Sequence, residues 1–136
     1  VDKVLENNDI QLCMLFSRRT NRFIIEYLND RFSEKNIIWN GEGNPYLALL
    51  QYSKYLICTS DSVSIISESI SANKPVYIFK LPSLKKNNRI EKFIATILHK
   101  NYARLLGEKL EDFSNSYENE TFKVARMIEE RYNNLA

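Results

Sequence analysis

The sequence predicts an α/β domain built on a parallel sheet. Short apolar runs of strand length alternate with stretches of helical periodicity. The connections between them are brief, and the first apolar run is nearly continuous, as in a strand covered on both faces.

The elements follow in order. Residues 10–16 form that first run, which reads as a strand buried on both faces. Over residues 23–32, Ile24, Leu28 and Phe32 recur four apart and predict a helix. Residues 37–39 give a second short strand, and Pro45 suits the first turn of a helix carrying Leu47, Leu50 and Gln51. Residues 55–58 make a third strand. Residues 61–72 make a third helix with Val63, Ile66 and Ile70 inward, and residues 75–79 a fourth strand. Ile90, Phe93, Ile94, Ile97 and Leu98 then follow the i, i+3, i+4, i+7, i+8 pattern without a fault. Ala125, Ile128, Tyr132 and Leu135 mark a terminal helix expected to pack back across the domain, after a loose polar loop at 114–120. The expectation is one Rossmann-like three-layer domain over residues 1–136. Its parallel sheet has at least four strands, joined by right-handed crossovers.

Composition narrows the function. The 136 residues include 19 basic and 17 acidic side chains, a net charge of +2, with 44% hydrophobic and 12% aromatic residues. Such a chain can bury a core and is not disordered. A balanced charge argues against a nucleic-acid binder, and no apolar run approaches the ~20 residues that cross a bilayer. The chain opens on Val1 without a signal peptide, which reads as a fragment of a longer protein. Cys13 and Cys58 lie far apart with no CxxC spacing. They read as two reduced core cysteines of an intracellular protein, not as a zinc or thioredoxin-type centre. His99, the only histidine, ends a helical stretch and reads as a surface or capping residue, so no histidine triad is expected.

In open α/β sheets a ligand lies beyond the carboxyl ends of the strands, here residues 17–20, 40–46, 59–62 and 80–88. Ser17, Arg18, Arg19 and Thr20 place two guanidiniums and two hydroxyls where the first helix opens. They make an anion site, or else a helix cap beside solvated arginines. Cations at a helix N-terminus oppose its dipole at a cost of about 0.3–1 kcal/mol, which favours the anion. Gly41 and Gly43, ahead of Asn44, Pro45 and Tyr46, form a tight loop with positive φ rather than a dinucleotide fingerprint, and no Walker A motif occurs. Ser60 or Asp61 is a good cap for the third helix. Glu68, near the edge of that helix's apolar face, is either a ribose ligand or a solvated glutamate. Lys80, Lys85, Lys86 and Arg89 give this edge a positive bias suited to a phosphorylated ligand, and no carboxylate cluster faces it to hold a metal.

Taken in order, Ser17-Arg18-Arg19-Thr20, Asn44-Pro45-Tyr46, the run from Thr59 to Ser64, Ser67-Glu68 and Lys74-Pro75-Val76-Tyr77 resemble the mitochondrial fission family of the plant "elongated mitochondria" protein. The resemblance covers residues 10–79 and continues more weakly through the helix ending at Leu98, Arg104 and the terminal helix. Asn73 replaces the family's glycine before Lys-Pro-Val, with Ser69 for alanine and Ile65 for methionine. Asparagine also tolerates a left-handed helix exit.

The family is in turn similar to the C-terminal, donor-binding half of the glycosyltransferase-B fold. That resemblance implies a nucleoside-diphosphate sugar as ligand, with no further cofactor. It makes Glu68 the ribose ligand, Arg18 and Arg19 diphosphate ligands, and Ser60 and Ser62 contacts to the diphosphate or sugar. Asn44, Tyr46, Lys85 and Lys86 become loop contacts. No catalytic base is found, and it would come from a missing N-terminal domain. An epimerase fits poorly, because that chemistry borrows a bound nicotinamide and the fingerprint is absent. The alternative implied by the plant member is an adaptor that keeps the fold without catalysis. The asparagine-, lysine- and isoleucine-rich composition looks like an AT-biased bacterial genome. A cytoplasmic setting is expected, free or at a membrane periphery.

Overall fold

The computed structural model describes residues 1–82 and 88–135. They form two compact units, Val1–Tyr52 with Gly107–Leu110, and Ser53–Leu106 with Glu111–Ala136. Both have parallel strands alternating with helices, so the chain is a Rossmann-like α/β protein. Among the described residues the strands fall into a pair and a triplet, where one sheet of four or more was expected.

The first unit holds α1 (Asp2–Asn7), β1 (Cys13–Met14), α2 (Arg22–Phe32), β2 (Ile37–Ile38) and α3 (Tyr46–Tyr52). β1 and β2 pair in parallel, Cys13 with Ile37 and Met14 with Ile38. The strand expected over residues 10–16 is this short because the buried Asn36 side chain takes over at its entrance. Asn36 Oδ1 accepts from Leu12 N at 2.9 Å while its Nδ2 donates to Phe32 O at 3.1 Å. Sequence periodicity missed α1, a six-residue helix with one buried residue, Val4. Asn8 fastens it, donating from Nδ2 to Val4 O and Glu108 O and accepting from Leu110 N. The apolar stripe of α2 is buried only at its end, where Phe32 is enclosed and Ile24 stands exposed.

The second unit holds β3 (Leu56–Thr59), α4 (Val63–Ser71), β4 (Val76–Phe79), α5 (Asn88–His99), β5 (Arg104–Leu105) and α6 (Glu120–Leu135). The strand order is β3-β4-β5, with Cys58 opposite Ile78 and Tyr77 opposite Arg104. Parallel neighbours in register point to one face, so Leu56, Cys58, Val76 and Ile78 share the side met by α4. There the Cys58 thiol donates to Ser69 Oγ at 3.3 Å. Ile66, Ile70, Val76 and Ile78 are essentially water-free, each contributing about 1.5–3 kcal/mol of burial. On the other face Tyr77 packs edge-on against Tyr55 and Phe113. Its hydroxyl donates to Glu111 O and accepts from Glu111 N.

Three expectations differ here. Val63, expected inward, is exposed at the start of α4. β5 went unread, because Arg104 and Leu105 make no apolar run. The terminal helix α6 begins earlier than its apolar marks suggested and buries none of its residues. Asn73 leaves α4 with φ 56°, the left-handed exit that its place before Lys74-Pro75 predicts.

Candidate functional site

In the first unit, parallel pairing brings the loops after β1 and β2 to one edge. Ser17 and Thr20 do not cap the helix as expected. The Thr20 amide donates to Ser17 O at 3.0 Å, and the Arg19 amide donates to Ser17 Oγ at 3.2 Å. The two hydroxyl oxygens lie 3.4 Å apart. The segment is therefore a self-closed turn, and the cap is Asn21, which accepts from Phe23 N. Arg18 and Arg19 project from this turn, exposed and without an ion-pair partner among the described residues, whereas Arg22 pairs with Glu26 at 2.8 Å.

The neighbouring loop is held by its own side chains. Trp39 Nε1 donates to Glu42 O, Asn40 Oδ1 accepts from Glu42 N, and Asn44 Oδ1 accepts from Tyr46 N. Gly41 and Gly43 have φ +95° and +67°, the left-handed region that the glycine pair predicts. Asn44 is exposed and Tyr46 half-buried.

In the second unit the loops after β3 and β4 share an edge and are tied together. Ser60 N donates to Phe79 O at 3.0 Å, and Ser60 Oγ accepts from Leu81 N at 2.9 Å. Ser60 thus braces two strand exits instead of capping α4, and Asp61 does not cap it either. The cap position belongs to Ser62, whose side chain makes no capping bond. Glu68 lies on the exposed face of α4, opposite Ile66, Ser69 and Ile70.

A cleft of about 490 Å³ opens beside the tied exits. Ser60, Asp61, Lys80, Leu81 and Pro82 form one side, and the Ile90, Ile94 and Leu98 stripe of α5, with Glu91 and Ala95, forms the other. It gathers Ser60 and Asp61 with Lys80, while Ser62 and Glu68 do not line it. The α5 wall went unread because its apolar stripe looks like core. Ile94 and Ile97 are buried, but Ile90 and Leu98 are only half so and Ala95 is exposed. A stripe wider than the core requires was the available signal. Lys85 and Lys86 lie outside the described residues.

Among the described residues no group of three His, Cys, Asp or Glu side chains is placed to hold a metal ion. No described helix is long and apolar enough to cross a membrane. Cys58 is held above the ordinary thiol range by burial, with the Ser69 hydrogen bond opposing that rise.

Parallel strands with polar loops at their carboxyl edges make this a Rossmann-like α/β protein. The family model described as "Mitochondrial fission ELM1" matches residues 1–132, and the chain belongs to that family. It is 32% identical to an uncharacterized protein of Rickettsia prowazekii (strain Madrid E) over 137 aligned residues, covering 94% of this chain and 38% of that protein. It is 44% identical over 61 residues to the mitochondrial fission protein ELM1 of Arabidopsis thaliana, covering 44% of this chain and 14% of the plant protein. The chain thus spans well under half the length of either relative. No solved structure matches it.

Proposed function

We propose that this chain is the nucleoside-diphosphate-sugar-binding domain of a glycosyltransferase-like protein of the fission family. The observation that most supports the reading is the second unit's carboxyl edge. There Ser60 locks the exits of β3 and β4 together, and α4 begins at Ser62 without a side-chain cap. Uncapped amide donors favour an anion, and Ser60 and Ser62 stand beside them as diphosphate or sugar contacts. Glu68 lies farther along the exposed face of the same helix, where a carboxylate can accept from both hydroxyls of a ribose. Within the first unit, taken by itself, the exposed Arg18–Arg19 pair is an anion-binding element, with Asn44 and Tyr46 on the adjoining loop. A diphosphate leaving group gains charge as the glycosidic bond breaks, and guanidiniums stabilise that charge. The acceptor base would come from an N-terminal domain of the longer protein.

Titration with nucleoside diphosphates and their sugars tests the reading. A ligand that binds only the folded state adds about 2.7 kcal/mol of stability at one hundred times its dissociation constant. A rise in unfolding temperature with one nucleotide series is expected, and none with any series would contradict it. The name of the Arabidopsis relative supports a second reading, a non-catalytic adaptor in fission, which need bind no nucleotide.

A further inference from the structure

We infer that the cleft between the β3 and β4 exits and α5 receives a guanine base. The inference rests on the nucleotide reading above and adds the identity of the base. At about 490 Å³ the cleft has the size of a small-molecule site. Its walls are apolar, Leu81 on one side and Ile94 and Leu98 on the other, which suits the faces of a flat ring. Ala95, on the same helix as Ile94 and Leu98, is exposed and adds only a methyl group to that wall.

The polar groups choose among bases. Asp61 and Lys80 both line the cleft, and neither has a hydrogen-bond or ion-pair partner among the described residues. Asp61 is no helix cap, and its backbone follows Ser60, whose amide and hydroxyl are both engaged. Asp61 is an exposed carboxylate next to that tied residue and on the cleft's lining, where a ligand can meet it. Guanine presents two adjacent N–H donors and a neighbouring carbonyl. The donors match the two oxygens of a carboxylate, and the carbonyl matches an ammonium. Uracil offers a single N–H between two carbonyls and would set an oxygen against Asp61. Adenine pairs one amino donor with a ring-nitrogen acceptor and would set that lone pair against the carboxylate. Glu91, the other carboxylate of the cleft, lies on the first turn of α5.

Calorimetry on the intact protein tests this with guanosine, inosine and uridine diphosphates. The wild type should bind guanosine diphosphate about tenfold more tightly than inosine diphosphate, which lacks the second donor. Asp61→Asn should weaken guanosine diphosphate by about tenfold or more and bind uridine diphosphate at least as well as the wild type does. Ala95→Trp should block the guanine nucleotide by filling the cleft. The inosine comparison needs no variant, so it decides the matter even if a substitution disturbs folding. Equal affinities for all three nucleotides, unaffected by Asp61→Asn, would overturn the guanine assignment and leave the nucleotide reading standing. Failure of every diphosphate to bind would overturn the nucleotide reading and this inference with it.

Discussion

Arg18 and Arg19 show how a residue's setting changes what it implies. The sequence places their guanidiniums where the first helix opens, yet Ser17 and Thr20 close a turn of their own and Asn21 caps α2. Sequence spacing could not choose among Ser17, Thr20 and Asn21, because Ser, Thr and Asn all suit the cap position. What remains is an exposed pair of guanidiniums with no described counter-ion. Replacing both by alanine should weaken diphosphate binding by about tenfold or more, with the deficit shrinking as salt rises. Undiminished affinity in a folded double variant would leave them as solvated surface. Cys58 makes a separate prediction at this scale. Burial raises its folded pKa, so the folded state keeps the proton after the unfolded thiol has lost it. Its contribution is complete below the unfolded thiol pKa of about 8.5 and is lost as pH rises through the folded value, by at most about 1.4 kcal/mol per pH unit. Cys58→Ala should flatten the alkaline slope of stability measured by urea unfolding. An unchanged slope would mean that the thiol is not shielded.

Elements were legible in proportion to their length and periodicity. α2, α4 and α5 lie close to their predicted spans because repeated apolar positions mark one face. α1 and β5 were invisible, since six residues with one buried side chain, or two residues beside an arginine, carry no period. Periodicity also cannot say what a face meets. The stripe of α4 is core at Ile66 and Ile70, whereas that of α6 is exposed throughout, with Ile128 at 64% and Tyr132 at 75%. The two helices should therefore respond differently to substitution. Ile70→Ala should destabilise by about 2–5 kcal/mol, and Ile128→Ser should change stability by no more than ~0.5 kcal/mol, both read from the urea midpoint. A comparable loss from Ile128→Ser would mean that α6 is covered in solution. At the exit of α4, Asn73→Val should cost about 1–2 kcal/mol, because a branched side chain resists φ 56°.

At the scale of the whole molecule, the alternation of strands and helices predicted the α/β class and polar loops along a single carboxyl edge. It did not predict that the strands divide into a pair and a triplet. Of the polar residues the sequence offered for a site, Ser60, Asp61 and Lys80 line the cleft, where residue type and loop position could mark them. The candidate site was illegible where shape carries it, in the cleft that α5 lines with half-buried side chains. Asp61 sits between these cases, a helix cap in the sequence reading that instead lines a cleft in the structure.

The most direct test is binding of a ribonucleoside diphosphate and its 2′,3′-dideoxy analogue to wild type and to Glu68→Gln. Glutamine keeps the shape of the side chain but has one acceptor oxygen, so a ribose ligand should lose about tenfold or more in affinity. The dideoxy analogue offers nothing to the carboxylate and should bind both proteins alike. A large penalty confined to the ribonucleotide is the predicted result. Equal binding of the ribonucleotide to both proteins, or an equal loss for both ligands, would make Glu68 an ordinary surface glutamate and contradict the ribose site.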